Sequence, residues 1–322
     1  MQDFEYTAPT SLEGVIGLLS ETWGETEIYA GGTDLVTCLK QGLTAPRRVV
    51  SLRNVKELKG ITILDDSIEI GAATTLTTLL GNAELAKHAT ALIQAIEGIN
   101  SKQMINVGTL GGDLCQRPRC WFYRNGYGLF GIEDGKSLIE DGDNRYHAIF
   151  GNDGPAKFVS ASSTGPALIA LGASLIVSGP EGERTIAAWD FFQTPQSESD
   201  RETALKSNEV LTKIIIPKNE TQSATYEIRH RAGLDWPYVT ASVAIGKEGT
   251  KVVLGHVAPT PWVSDAAGKA LNGRVKKADA EKAGEVAAEG ATPLSQNAYK
   301  VAMVKTAVKR AVLRATGQEE EA

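Results

Sequence analysis

Two short glycine-bearing segments constrain this chain more than any other feature: AGGTDL at residues 30–35 and TLGGDL at residues 109–114. Each sets a pair of glycines just ahead of an aspartate and a leucine. Without Cβ atoms, main-chain N–H groups can converge on an anion there unobstructed. A single Gly-Gly pair reads as a tight turn. Two such pairs in one chain point instead to two loops folded onto one diphosphate-bearing cofactor. A buried diphosphate gives up strong hydration and needs several donors, each charged hydrogen bond netting about 1.5–3 kcal/mol. One helix dipole, at about 0.3–1 kcal/mol, is not enough.

The surrounding pattern supplies a frame for the first segment. Ser11 or Thr10 caps a first helix after Pro9, residues 27–30 read as a strand, a short helix follows over 35–40, and 48–52 reads as a second strand. This β-α-β unit puts AGGTDL at a strand-to-helix junction, where phosphate is favoured. Residues 61–64 and 68–72 flank Asp65-Asp66 as a hairpin, and helices are expected at 76–80 and 89–99, with the second glycine turn directly after. A helix over 166–171 leads through Gly172 into a strand at 174–178, and GPEGE turns back into 185–187. After a strand over 210–216 ending at Pro217, long antiparallel strands are expected at 224–231, 239–245 and 251–257. Alanine- and lysine-rich helices close the chain. The last, over 297–315, carries Val301, Val304, Val308 and Val312 on one face. The pattern divides the chain into 1–55, 56–217 and 218–322.

Composition narrows the function. Of 322 residues, 42% are hydrophobic and the net charge is −6, which fits a globular protein and disfavours nucleic-acid or anionic-membrane partners. No apolar run approaches the roughly 20 residues of a membrane span, and MQDFEYTAPT lacks the make-up of a secretory signal, so a cytoplasmic location is expected. Neither G-x-G-x-x-G nor G-x-x-x-x-G-K-[ST] occurs, which argues against a Rossmann dinucleotide fold and a P-loop. The four histidines, His88, His147, His230 and His256, are scattered without metal-ligand spacing, and no G-x-S-x-G elbow appears. Three cysteines, Cys38, Cys115 and Cys120, imply no disulfide framework.

Taken in order, AGGTDL, NVGTLGGDL, CQRPRCWFYR, HAIFGNDGPAKFV, GPALIALGASLIV and GHVAPTPW resemble the FAD-binding medium subunits of the molybdenum hydroxylases. That family includes the flavin subunits of xanthine dehydrogenase, aldehyde oxidoreductase, carbon monoxide dehydrogenase and 4-hydroxybenzoyl-CoA reductase. The resemblance covers nearly the whole chain. It implies an α+β, vanillyl-alcohol-oxidase-like (PCMH-type) FAD-binding fold of two lobes, plus a C-terminal α+β domain with an antiparallel sheet. It also implies partners: a molybdenum-cofactor large subunit and a small subunit with two-iron iron–sulfur clusters. FAD would relay electrons from those clusters to a terminal acceptor.

Residue by residue, the resemblance sets Glu27, Ile28, Tyr29, Ala30, Gly31, Gly32, Thr33, Asp34 and Leu35 around the pyrophosphate, with Asn106, Thr109, Gly111, Gly112 and Asp113 as the second wall. Asp34 and Asp113 also read as helix or turn caps. Relatives often carry a Ser-Asp pair near the ribityl chain; here the segment is Ser162-Ser163-Thr164, which leaves Ser163 as the polar group. Arg231 falls where relatives place a basic residue near the flavin, while a surface salt bridge is its plainer reading. Some relatives hold a four-iron cluster beginning at the position of Cys120 and ending near the position of Ala156. With only three cysteines and none after Cys120, the cluster is expected to be absent. The arginines Arg117, Arg119 and Arg124, interleaved with Trp121, Phe122 and Tyr123, read as a packed loop or a partner contact. Two rivals stay open: a stand-alone flavin oxidase or reductase of the same fold, and a flavin-free structural subunit.

Overall fold

The computed structural model describes residues 1–231, 233–271 and 275–319; Glu320, Glu321 and Ala322 of the acidic tail lie outside the described residues. The first lobe is built as its sequence pattern dictates. Strand β1 (Glu5–Thr7), helix α1 (Leu12–Ile16), β2 (Thr26–Tyr29), α2 (Leu35–Gln41) and β3 (Arg48–Ser51) follow in order. Both β1 and β2 pair with β3 in parallel, giving the sheet order β1-β3-β2. The Ser11 side chain caps α1 by accepting from the Gly14 amide. The helix is about a turn and a half long and ends at Gly17, its C-cap, although the apolar Leu18 and Leu19 follow and pack on the same core.

Strands β4 (Ile61–Ile63) and β5 (Ser67–Gly71) form the expected hairpin. Helices α3 (Leu76–Leu80), α4 (Ala83–His88), α5 (Thr90–Glu97), α6 (Lys102–Val107) and α7 (Leu110–Leu114) follow. The sequence pattern foresees α3 and α5. It misses α4 and α6, which bury only Leu85 and no residue respectively and so carry no apolar stripe, but which are fixed by Asn82 and Ser101 caps. It also reads residues 109–114 as an open turn, whereas they are the helix α7, capped by the Thr109 hydroxyl accepting from the Gly112 amide at 3.1 Å.

A long, sparsely regular insertion over 115–164 contains α8 (Trp121–Arg124), the small hairpin β6 (Ile132–Glu133) and β7 (Lys136–Ser137), and α9 (Leu138–Asp141). It has its own apolar knot of Tyr123, Leu129, Phe130, Ala156 and Phe158. Helix α10 (Gly165–Ala170), strands β8 (Ser174–Gly179) and β9 (Gly182–Ala187), α11 (Ala188–Phe191) and β10 (Val210–Pro217) complete an antiparallel sheet of order β4-β5-β10-β8-β9.

The last sheet joins β11 (Thr221–Ile228), β12 (Val239–Gly246), β13 (Gly249–Gly255) and β14 (Trp262–Val263) in antiparallel order, covered by α12 (Asp265–Lys269), α13 (Lys277–Ala287) and α14 (Tyr299–Ala315). Strand β11 stops at Ile228 rather than 231, where the Tyr238 amide bonds back to the Ile228 carbonyl and closes the ladder. On α14, Val304, Val308 and Val312 are buried and Val301 is partly so. The main core of the middle region takes in Ala244 and Val253 of the last sheet, so these two parts share apolar contacts rather than merely abutting.

Candidate functional site

The first glycine segment leaves β2 and enters α2 over residues 30–34. In this stretch the main chain turns without satisfying its own donors. Among the described residues, none accepts a hydrogen bond from the amides of Gly31, Gly32, Thr33, Asp34 or Leu35. Five consecutive uncommitted N–H groups are unusual, because a chain this close to its core ordinarily pairs them. Two of the positions tolerate only glycine. A Cβ on Gly31 would lie 2.0 Å from the Val107 carbonyl oxygen, and Gly32 has φ +72° with its Cβ position 2.5 Å from the Tyr29 ring. The first figure also means that the backbone just before the second glycine segment is pressed directly onto the first.

The second segment behaves differently. The Leu110 amide donates to the Thr74 carbonyl at 3.1 Å and the Gly111 amide to the Ala72 carbonyl at 2.8 Å, so both dock α7 on the end of β5. Asp113 is buried. Its carboxylate accepts from Ser162 Oγ at 2.7 Å, from the Thr164 amide at 2.9 Å and from Thr164 Oγ1 at 2.7 Å, with Gln116 Nε2 at 3.0 Å on its other oxygen. The structure places Gly111 and Asp113, expected in the second wall, on two adjoining cavities. Gly111 spends its donor on packing, and Asp113 is an anionic staple between α7 and the residues 162–164. Gly112, by contrast, is exposed, and its amide meets only the Thr109 hydroxyl.

Around these segments lie two cavities. A narrower one of about 200 Å³ is lined by apolar residues such as Ile28, Leu52 and Leu211 together with charged ones such as Glu27, Arg117, Arg201 and Glu202. Every residue from Glu27 to Leu35 except Tyr29 lines it, as do Thr109, Gly111 and Gly112. A wider one of about 320 Å³ is lined by Ser163, Arg119, Arg229 and Trp236 among others. The two share Thr33, Thr109, Gly112 and Gln116, so they meet where the free amides lie. Tyr29 stands behind the cradle and backs Gly32. Asn106 belongs to neither cavity; it accepts from Thr77 Oγ1 at 2.8 Å on an exposed face. Arg231 is also absent from both. Its side chain is 75% exposed and pairs with Asp235 at 3.0 Å, at the mouth of a third cavity walled by Trp121, Tyr146, His147 and His256.

The insertion reaches back to the cradle through Asp34, a connection the sequence gives no local sign of. Its carboxylate accepts from the Arg117 amide at 2.8 Å and pairs with Arg124 at 2.8 Å and Arg119 at 3.2 Å. Arg124 also donates to Cys38 Sγ at 3.1 Å, and Arg117 pairs with Glu202 at 3.0 Å. Guanidinium groups suit this because their forked donors serve several acceptors at once.

Cys120 Sγ lies 3.2 Å from His147 Nε2, and burial raises the thiol above its ordinary value. Ala156 is buried in the apolar knot of the insertion. Among the described residues, no three His, Cys, Asp or Glu side chains gather as a metal site. No described helix is long and apolar enough to cross a membrane.

Donors without acceptors thus lie where the two cavities meet. A family model described as the FAD binding domain in molybdopterin dehydrogenase matches residues 2–219. The carbon monoxide dehydrogenase medium chain of Hydrogenophaga pseudoflava is 27% identical over 96% of both chains. The aldehyde oxidoreductase FAD-binding subunit PaoB of Escherichia coli is 26% identical over 91% of this chain and 92% of its own. Among solved structures, a carbon monoxide dehydrogenase from Hydrogenophaga pseudoflava superimposes with TM-score 0.76 at 25% identity, covering 99% of each chain.

Proposed function

The chain belongs to the family of FAD-binding domains of the molybdopterin dehydrogenases, and from that premise we propose that it is the electron-relay subunit of a molybdenum hydroxylase complex. Its partners are a large subunit that oxidises substrate at molybdenum and a small subunit whose two-iron clusters deliver the electrons. The observation that carries this reading is the run of five uncommitted amides from Gly31 to Leu35. Relatives named as medium chains or FAD-binding subunits are parts of multi-subunit enzymes, which supports the assembly.

In this reading the amides of residues 31–35, with Thr33, Thr109 and Gly112 opposite, hold the diphosphate. The wider cavity takes the three-ring flavin, beside Trp236 and Ser163, and the narrower one takes the adenine. Asp113 keeps Ser163 and the neighbouring chain in register with α7. Bound FAD supplies an exchange of single electrons with iron–sulfur centres and of electron pairs with a terminal acceptor. The chain's own residues orient and screen.

The test is a titration of the purified protein with FAD, followed by reduction with a reduced two-iron ferredoxin. Stoichiometric binding and flavin bleaching without any organic substrate support the proposal. Turnover of an organic substrate by the isolated chain identifies a self-sufficient oxidoreductase instead, and failure to bind FAD identifies a structural subunit.

A further inference from the structure

The third cavity encloses about 330 Å³, within the range of about 300–1,000 Å³ usual for small-molecule sites. None of residues 27–35 or 109–116 lines it, and it meets the wider cavity along a common wall that includes Arg119, Asp235 and Trp236. Its sides are aromatic. Trp121, Tyr146 and Trp236 are each 39–40% exposed. Trp121 packs on Tyr146 with ring centres 5.3 Å apart, and Tyr146 stacks on Tyr238 at 5.5 Å. Half-exposed rings gathered around one cavity favour a planar, apolar guest. The lining holds no glycine, so it has no second cradle for a diphosphate.

The polar groups on this cavity are unspent. Among the described residues six buried side-chain nitrogen or oxygen atoms lack a hydrogen-bond partner, and three of them, Arg119 Nε, His147 Nδ1 and His256 Nε2, belong to its lining. Buried polar atoms are ordinarily paired. His147 Nδ1 lies by the Asn144 main chain without forming a bond, so the donor that matters is on His256. Its Nδ1 is 3.0 Å from the buried Thr240 hydroxyl, which has no other partner among the described residues. A buried hydroxyl proton without an acceptor is costly, so Thr240 donates to Nδ1. Burial pushes His256 down to about 3, and the neutral ring therefore carries its proton on Nε2. The backbone is strained at the same residue: φ is +62°, a left-handed value shared among the described non-glycine residues only with Asp134. Strain of this kind persists where the surroundings over-determine a residue, and it gathers at binding sites.

Lys300 enforces that conformation. Its Nζ donates to the His256 carbonyl at 2.9 Å, to the Tyr146 carbonyl at 2.9 Å and to the His147 carbonyl at 3.1 Å. Three acceptors require the ammonium, since a neutral amine has two protons. Burial, with no carboxylate paired to it among the described residues, pushes Lys300 down to about 7. Asp235, on the same cavity, is taken by Arg231, while Asp34 and Asp113 act on Arg119. An anion near His256 would therefore meet a buried charge that the fold leaves without a partner.

We propose that the third cavity is a binding site for a single-ring aromatic carboxylate, with the ring among the aromatic side walls and the carboxylate turned to His256 and the Lys300 charge. The ammonium acts through its field, because its protons are already spent. The inference stands apart from the FAD reading, since the glycine segments take no part in it.

The experiment is a calorimetric titration of the full chain with benzoate, with and without saturating FAD, in mildly acidic buffer where Lys300 carries its charge. One-to-one binding is expected in both cases. Benzamide, which lacks the charge, and cyclohexanecarboxylate, which lacks the planar ring, are expected to bind more weakly. His256→Gly suits the left-handed backbone and removes the donor; it should weaken benzoate binding about tenfold or more, and Trp121→Ala should act in the same direction, with circular dichroism to verify both folds. Absence of saturable benzoate binding, equal binding of either analogue, or an unchanged affinity in folded His256→Gly overturns the inference. Displacement of benzoate by FAD puts the acid in the flavin cavity and also overturns it. A chain that binds benzoate but no FAD upholds this site and overturns the FAD reading alone.

Discussion

Gly31→Ala isolates the contact on which the cradle depends. The added Cβ would sit 2.0 Å from the Val107 carbonyl oxygen, 2.7 Å from its carbon and 2.9 Å from Gly108 Cα, all main-chain atoms that no side-chain rotation can clear. Ordinary contact begins near 3.4 Å, so the two segments must part by 3.4 − 2.0 = 1.4 Å. A shift of that size takes a hydrogen bond of about 2.9 Å out of range. If the two amides nearest residue 31 lose a diphosphate oxygen, at about 1.5–3 kcal/mol each, binding weakens by about 3–6 kcal/mol, or roughly 10²- to 10⁴-fold. Quenching of flavin fluorescence at fixed salt measures it, with circular dichroism to verify folding. Gly24→Ala is the control. That residue also belongs to the first lobe and has φ +86°, but open space surrounds its Cβ position. It should lose about 1–2 kcal/mol of stability through strain and no FAD affinity. A folded Gly31→Ala protein that binds FAD within about threefold of the unmodified chain refutes the assignment of the diphosphate to this cradle.

Three further outcomes follow from the same geometry. Asp34→Asn leaves Arg119 and Arg124 facing one another without their shared anion, and should lower unfolding free energy by about 3–5 kcal/mol; an unchanged urea midpoint would contradict the keystone role. Asp113→Ala strands the buried Ser162 and Thr164 donors, each orphan costing about 1–3 kcal/mol, and should lower the melting temperature more than removal of the exposed Asn106 side chain does. Burial and the nearby Lys300 push His147 down to about 4 and His256 down to about 3, so both are neutral in the fold, while in the unfolded chain they titrate near 6.5. Because the unfolded state then binds more protons, their contribution is full above pH 6.5 and is lost as pH falls towards those values, with a slope of up to about 2.7 kcal/mol per pH unit for two protons. His256→Gln should halve that slope in urea midpoints measured across the range, and a flat profile in the unmodified chain would dismiss the argument.

Local chemistry was enough to place most of the scaffold. The β-α-β unit around AGGTDL, the hairpin at Asp65-Asp66, and the long strands after Pro217 are each specified by residues within a few positions of one another, through alternation, caps and turns. The helices α4 and α6 escaped because they bury almost nothing, Leu85 alone in α4 and no residue in α6, so no apolar stripe marks them.

The amino-acid sequence by itself determined where the main chain is free of side chains, since glycine at positions 31 and 32 is a property of the chain wherever it folds. Only the tertiary structure decided which of the donors there stay free and which are spent. The Gly111 amide is consumed by Ala72, and the carboxylate of Asp113 by residues about 50 positions away. Asp34 meets Arg117 and Arg124 across 83 and 90 positions. Hydrogen bonds and ion pairs are short-ranged, so whether a polar group is spent or available depends on what the folded chain brings within about 3 Å of it. No spacing along the sequence encodes that distance, and it is why Arg119 rather than Arg231 lines the wider cavity.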